Sequence, residues 1–158
     1  TKRLHVPWGT IYFSNDAERL YYAIDLPFDT ELASTDRDTV FIDTLTRGQL
    51  EVDRDVELVW RGDVPTQLFV YYFKSYDGTG CTWGGSSRPN RVAQIYTTGH
   101  RVIESGAELS EIYARPGAVL GLAFTSHGGD SGGTIKWPPA ANMCTGANWG
   151  ALILATKP

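Results

Sequence analysis

Apolar and polar residues fall in short runs along the whole chain, each cut off by Gly, Pro, Asn or Asp. Residues 4–13 mix the two kinds around Trp8 and Gly9 and predict a strand, with Asn15 and Asp16 supplying turn chemistry after it. Residues 20–26 predict a second strand stopped by Pro27, residues 29–38 a polar loop, and residues 40–45 a short strand or helical turn. In residues 50–60, Leu50, Val52, Val56, Leu58 and Trp60 are set against Asp53, Asp55, Glu57 and Val59, the period of two expected of a half-buried strand. Residues 68–73 are nearly all apolar or aromatic and predict a central strand covered on both faces. Between these two strands, Arg61-Gly62-Asp63-Val64-Pro65 is tight enough to make them antiparallel neighbours.

The second half continues the pattern. Residues 75–90 are rich in turn formers and predict a long loop, followed by short strands at 92–96 and 101–103 around the Gly99 turn. Residues 109–113 predict another strand closed by Arg115-Pro116-Gly117, and residues 119–125 a clear one. Residues 126–148 read mostly as loop, extended at 134–137 before Pro138-Pro139, and residues 149–156 close the chain as a strand. About eight strands at turn-separated intervals, with no helical period, specify an all-β sandwich or barrel. Leu58, Trp60, Leu68, Val70, Tyr72, Leu120, Leu122, Phe124, Leu152 and Leu154 are the expected inward positions.

Composition bounds the function. The 158 residues suit one β-sandwich domain over 1–158 with a single core, and 42% apolar with 20% charged residues argues against disorder. The formal charge of −4 comes with dispersed Lys and Arg rather than a basic stripe, so direct nucleic-acid binding is not expected. The apolar stretches at 68–73 and 118–124 are too short to span a bilayer, and no membrane partner is expected. No leader pattern opens the chain, and its start at Thr1 fits a piece of a longer precursor. Cys81 and Cys144 lie in Gly/Thr-rich stretches, where they could pair in a secreted protein or remain free thiols.

Four local patterns carry possible chemistry. Gly129-Asp130-Ser131-Gly132-Gly133 looks like the nucleophile segment of trypsin-like serine proteases, where the serine attacks and nearby N–H groups hold the oxyanion. None of His5, His100 and His127 stands where that family keeps its base, so a surface turn is the favoured reading and no catalytic residue is expected. His100, Glu104, His127 and Asp130 match no metal-binding spacing, and neither metal nor cofactor is called for. Arg61-Gly62-Asp63 is the integrin-recognition tripeptide at an expected hairpin tip, which makes Arg61, Gly62 and Asp63 the candidate receptor-binding residues. Ser75, Tyr76, Trp83, Ser86, Ser87 and Asn90 offer the stacking and hydroxyl groups of a sugar site, although a loop folded over its own aromatic anchor has the same composition.

Taken in order, the strands resemble the capsid jelly roll of picornaviruses and their relatives. Residues 55–60 followed by 64–71 are similar to that family's paired fourth and fifth strands, Gly99 to Ile103 with 107–116 to its sixth, and 148–153 with its Trp-Gly pair to the penultimate strand. The resemblance covers residues 40–158 and implies an antiparallel jelly roll, a structural shell protein of a non-enveloped virion, other capsid subunits as partners, and loops displayed to a host receptor. A lectin-like or attachment β-sandwich binding module is the alternative reading, and a serine hydrolase using Ser131 the third.

Overall fold

The computed structural model describes all residues except 28, 30, 32, 98, 99, 129–132, 157 and 158. The described residues form twelve strands: β1 (Lys2–Val6), β2 (Gly9–Asn15), β3 (Arg19–Leu26), β4 (Arg37–Asp43), β5 (Val56–Arg61), β6 (Gln67–Tyr76), β7 (Cys81–Pro89), β8 (Val92–Thr97), β9 (His100–Glu108), β10 (Val119–Gly128), β11 (Gly133–Trp137) and β12 (Gly150–Ile153). They pair antiparallel in two sheets. One is five-stranded in the order β1-β2-β3-β9-β8; the other is seven-stranded in the order β11-β10-β4-β5-β6-β7, with β12 on β10. The expected antiparallel sandwich is what forms.

Alternation decides which side chains enter the space between the sheets. In β3, Leu20, Tyr22, Ile24 and Leu26 are buried while Arg19, Tyr21, Ala23 and Asp25 point out, and β9 follows the same period. These side chains meet Val40, Ile42, Val56, Leu58, Leu68, Val70, Leu120, Leu122 and Phe124 of the larger sheet in one apolar core. The inward positions expected from the sequence all lie in the buried core or pack against it.

Several element boundaries differ from expectation, each for a local reason. Residues 4–13 are two strands, because Pro7 and Trp8 turn the chain and Val6 pairs with Gly9. Residues 50–55 are not extended. Asp55 accepts N–H bonds from Thr44 at 2.9 Å and Glu51 at 2.5 Å, which folds residues 51–54 into a turn and leaves β5 only its last six residues, Val56–Arg61. The stretch expected as one long loop at 75–90 is the end of β6 and the edge strand β7. Here β6 supplies the ladder that Gly84, Gly85, Ser86 and Ser87 would not favour alone. Residues 109–113 form a turn, with Ala114 N–H bonded to Leu109 O at 2.8 Å and Ile112 plugging the core.

β4 and β5 are buried on both faces, unlike their partners in the smaller sheet. The outer face of the larger sheet is partly covered by residues 138–149, whose Ala141 packs on Phe41 and Ala123, with Met143, Trp149 and Trp83 around them. Cys81 and Cys144 form a disulfide that ties this segment to the start of β7. Trp83 sits edge-on to both Phe41 and Phe73, with ring centroids 5.8 and 5.4 Å away.

One end of the interior is ionic. Arg101 of β9 points inward and is wholly buried, with its guanidinium 2.8 Å from Asp29, 3.3 Å from Asp36 and 3.1 Å from Asp38. It also lies 4.8 Å from the centre of the Trp60 ring. The segment leading into β4 is therefore held to both sheets by one cation. Asp36 further anchors the β5–β6 turn by accepting the Gly62 N–H on its carbonyl at 2.9 Å.

Candidate functional site

The Arg61-Gly62-Asp63 turn joins β5 and β6 as expected. Arg61 donates to both oxygens of Asp63, at 2.9 and 2.5 Å, and its guanidinium stacks over Phe69 at 5.2 Å. The two charges thus engage each other across a tight turn. Gly62 is buried, and a Cβ there would run into the Ala33 carbonyl and press on Asp36 at 3.2 Å. Gly62→Ala should therefore lower stability by about 1–3 kcal/mol through overpacking, measurable as a shift of the urea midpoint at unchanged slope.

The other sequence candidates separate. Residues 129–132, with Ser131, lie outside the described residues. His100 faces Asp25 at 3.7 Å on the smaller sheet, whereas His127 bonds Thr134 at 2.8 Å on the larger one. Trp83 serves as an aromatic anchor for the segment stapled to β7. Ser75 is bonded to Thr82 at 2.8 Å and Tyr76 to Gly78 O at 3.0 Å, both within the β6–β7 hairpin.

The arrangement that stands out centres on Glu57, whose chemistry the sequence pattern did not single out. Register places Glu57 on the outer face of the larger sheet, between Phe41 of β4 and Tyr71 of β6. The next row on the same face runs Thr39, Val59, Phe69 and Ser87, and beyond it Arg37 stands opposite Arg61. Glu57 is 4% exposed, yet its sole ionic or hydrogen-bonding partner among the described residues is Arg37, at a long 3.5 Å. Burial pushes the carboxyl up from 4.5 to about 7, and Arg37 offsets only part of that. A carboxylate largely removed from water and met by one long ion pair costs stability, and such costs concentrate where a ligand is received.

The surroundings fit that role. Phe69 and Tyr71 stack on each other at 5.7 Å with planes 18° apart, both half-exposed beside the acid. Arg37 and Arg61 keep 49% and 42% of their side chains in solvent, so donors remain free to reach a ligand. Gly85 and Ser87 on β7 continue these two rows and are exposed. An acceptor, planar donors and an aromatic pair thus share one face of the sheet, the groups that a polyhydroxy molecule calls for. The missed signal was an acid embedded in a run of apolar residues, Val56 to Trp60, which alternation alone assigns to solvent.

No protein-family model and no curated protein matches the sequence. Among solved structures, the chain is similar to a carbohydrate binding module of family 9 from Caldicellulosiruptor kristjanssonii in complex with glucose, with a TM-score of 0.61 and 15% identity. That match covers 95% of this chain and 78% of the module. The same module in complex with cellotriose aligns with a TM-score of 0.63 at 14% identity, over 95% of this chain and 76% of that one. At this identity the likeness establishes the fold alone, a two-sheet antiparallel sandwich.

These neighbours overturn the resemblance to picornavirus capsids, and with it the shell function, the capsid-subunit partners and the host-receptor partner. The strand pattern behind that resemblance, acidic-apolar alternation broken by Gly and Pro turns, is what any two-layer sandwich imposes on its sequence. Pattern without identity could not separate the two.

Proposed function

We propose that this protein is a carbohydrate-binding module that receives a soluble glucan, or a sugar of similar shape, at Glu57 on the outer face of its larger sheet. The observation that carries the reading is Glu57 itself: a nearly buried carboxylate with unspent acceptor capacity, flanked by Arg37 and by the Phe69–Tyr71 pair. The glucose and cellotriose bound by the structural neighbours favour this ligand class. In the bound state Glu57 accepts hydroxyl protons, Arg37 and Arg61 donate to ring or hydroxyl oxygens, and the Tyr71 ring packs against sugar C–H groups. The role is binding rather than turnover. The Cys81–Cys144 disulfide suits an oxidising compartment, where extracellular polysaccharide would be met.

Isothermal titration with glucose and with cellotriose tests the proposal. Binding is expected, and Tyr71→Ala should weaken it at least tenfold, about 1.4 kcal/mol, without altering the circular dichroism spectrum. Affinity should rise as pH increases through about 7, because hydroxyl donors favour the ionised form of Glu57. Absence of heat with both sugars, or binding indifferent to Tyr71→Ala and Glu57→Gln alike, would remove the assignment.

A further inference from the structure

We propose that the outer face of the five-stranded sheet holds a second, independent saccharide-binding groove, which makes the module bivalent. The inference rests on the sugar-binding reading above but on none of the residues used there. A groove of about 700 Å³ runs over this sheet, far from Glu57 and separated from it by the full thickness of the core. Its floor includes three small outward residues on adjacent strands: Ala23 and Ala93, which flank Glu104 in one row, and Gly106 in the next row opposite Tyr21. Ala23 and Ala93 leave low ground on either side of Glu104, where a ligand can lie against the sheet and meet the carboxylate. From β2 to β8 the floor spans roughly 14 Å by ordinary strand spacing, enough for an oligosaccharide rather than one sugar.

Aromatic walls stand on one side of that floor. Tyr21 is 40% exposed, and its ring leans over Gly106, where a Cβ would lie 3.2 Å from the ring edge. The Tyr21 hydroxyl donates to Asp16 at 2.8 Å, so the ring is fixed before any ligand arrives. Tyr12 flanks it one strand away and carries the Arg3 guanidinium on one face at 5.3 Å. The opposite wall is the β7–β8 turn at Asn90 and Arg91. Arg91 is clamped there by Glu108 at 3.0 Å and Glu111 at 2.9 Å, which makes this wall rigid as well. Pre-set walls reduce the ordering cost of binding.

Three of the polar groups facing the groove are unspent. Ser14, Asn90 and Glu104 make no side-chain hydrogen bond to any described residue, which leaves a hydroxyl, an amide and a carboxylate for sugar hydroxyls. A peptide is a poorer match, because the central strands β2, β3 and β9 are paired on both edges and offer no backbone ladder. Two sites on opposite faces let one molecule bridge two glycan chains, or gain avidity on a polysaccharide surface.

The experiment titrates cellotriose into the wild type, Tyr71→Ala, Tyr21→Ala and Ala23→Phe, the last filling the floor without removing any bond, with thermal melts confirming folding. The expected result is a stoichiometry near two for the wild type and near one for each variant. A wild-type stoichiometry of one, abolished by Tyr71→Ala and untouched by Tyr21→Ala and Ala23→Phe, overturns the second groove and leaves the Glu57 site standing. Binding abolished by Tyr21→Ala and Ala23→Phe but not by Tyr71→Ala keeps the groove and removes the Glu57 site. No binding by the wild type overturns both.

Discussion

Arg101→Met should cost about 3–5 kcal/mol at pH 7.5, the largest loss expected from any single substitution considered for this protein. Methionine fills much of the arginine's volume, so the effect isolates charge. Without the guanidinium, Asp29, Asp36 and Asp38 would lose the cation they share, and Trp60 would lose its cationic partner. The deficit should shrink on acidification. Asp38 is already pushed up from 3.8 to about 6 by burial, with Arg101 pulling down and Asp29 and Asp36 pushing up. Removing Arg101 raises it further, so protonation relieves the variant earlier than the wild type. Urea unfolding at pH 5 and pH 7.5 checks this; equal stability of the two proteins at pH 7.5 would show that the cluster does not hold the fold together.

The second large effect has the opposite sign. Glu57→Gln should stabilise the protein by about 1–3 kcal/mol at pH 8 while weakening sugar binding. In the unfolded chain Glu57 loses its proton near 4.5, and in the folded protein only near 7. Between those values the native state binds more protons than the unfolded state, so stability falls as pH rises through that window and is flat above it. Asp38 adds a fall of the same sign between about 4 and 6. Glutamine has no proton to lose, keeps the shape and removes the first of these slopes. A wild-type stability that does not decline between pH 5 and pH 7, or a Glu57→Gln variant no more stable than wild type at pH 8, contradicts this account. A residue that costs stability and supports binding is the trade expected of a functional site.

The two effects share a cause: two adjacent strands of the larger sheet, β4 and β5, each bury an acid. Asp38 has an inward position and a buried cation to meet it. Glu57 has an outward position and is buried nevertheless, with its partner Arg37 half in solvent.

Read alone, the sequence determined the all-β class, the antiparallel sandwich and ten inward positions between Leu58 and Leu154, all from the larger sheet and its flanking segment. It did not single out the smaller sheet's core residues, such as Leu20, Ile24 and Ile103. Period-two patterning is a local property, because the pleat sends successive side chains to opposite faces, so it is legible residue by residue. The β5–β6 turn at Arg61-Gly62-Asp63 was legible for the same reason. Only the tertiary structure decided the rest. Sheet order brought Arg37, Glu57 and Tyr71 together from three strands, and Tyr12, Tyr21 and Glu104 from three others. The disulfide between residues 63 apart closed one face, and a single guanidinium gathered three aspartates from a polar stretch that reads as an ordinary loop. Such groupings depend on which strands become neighbours, a choice made by packing between sheets. The spacing along the chain therefore carries no trace of them.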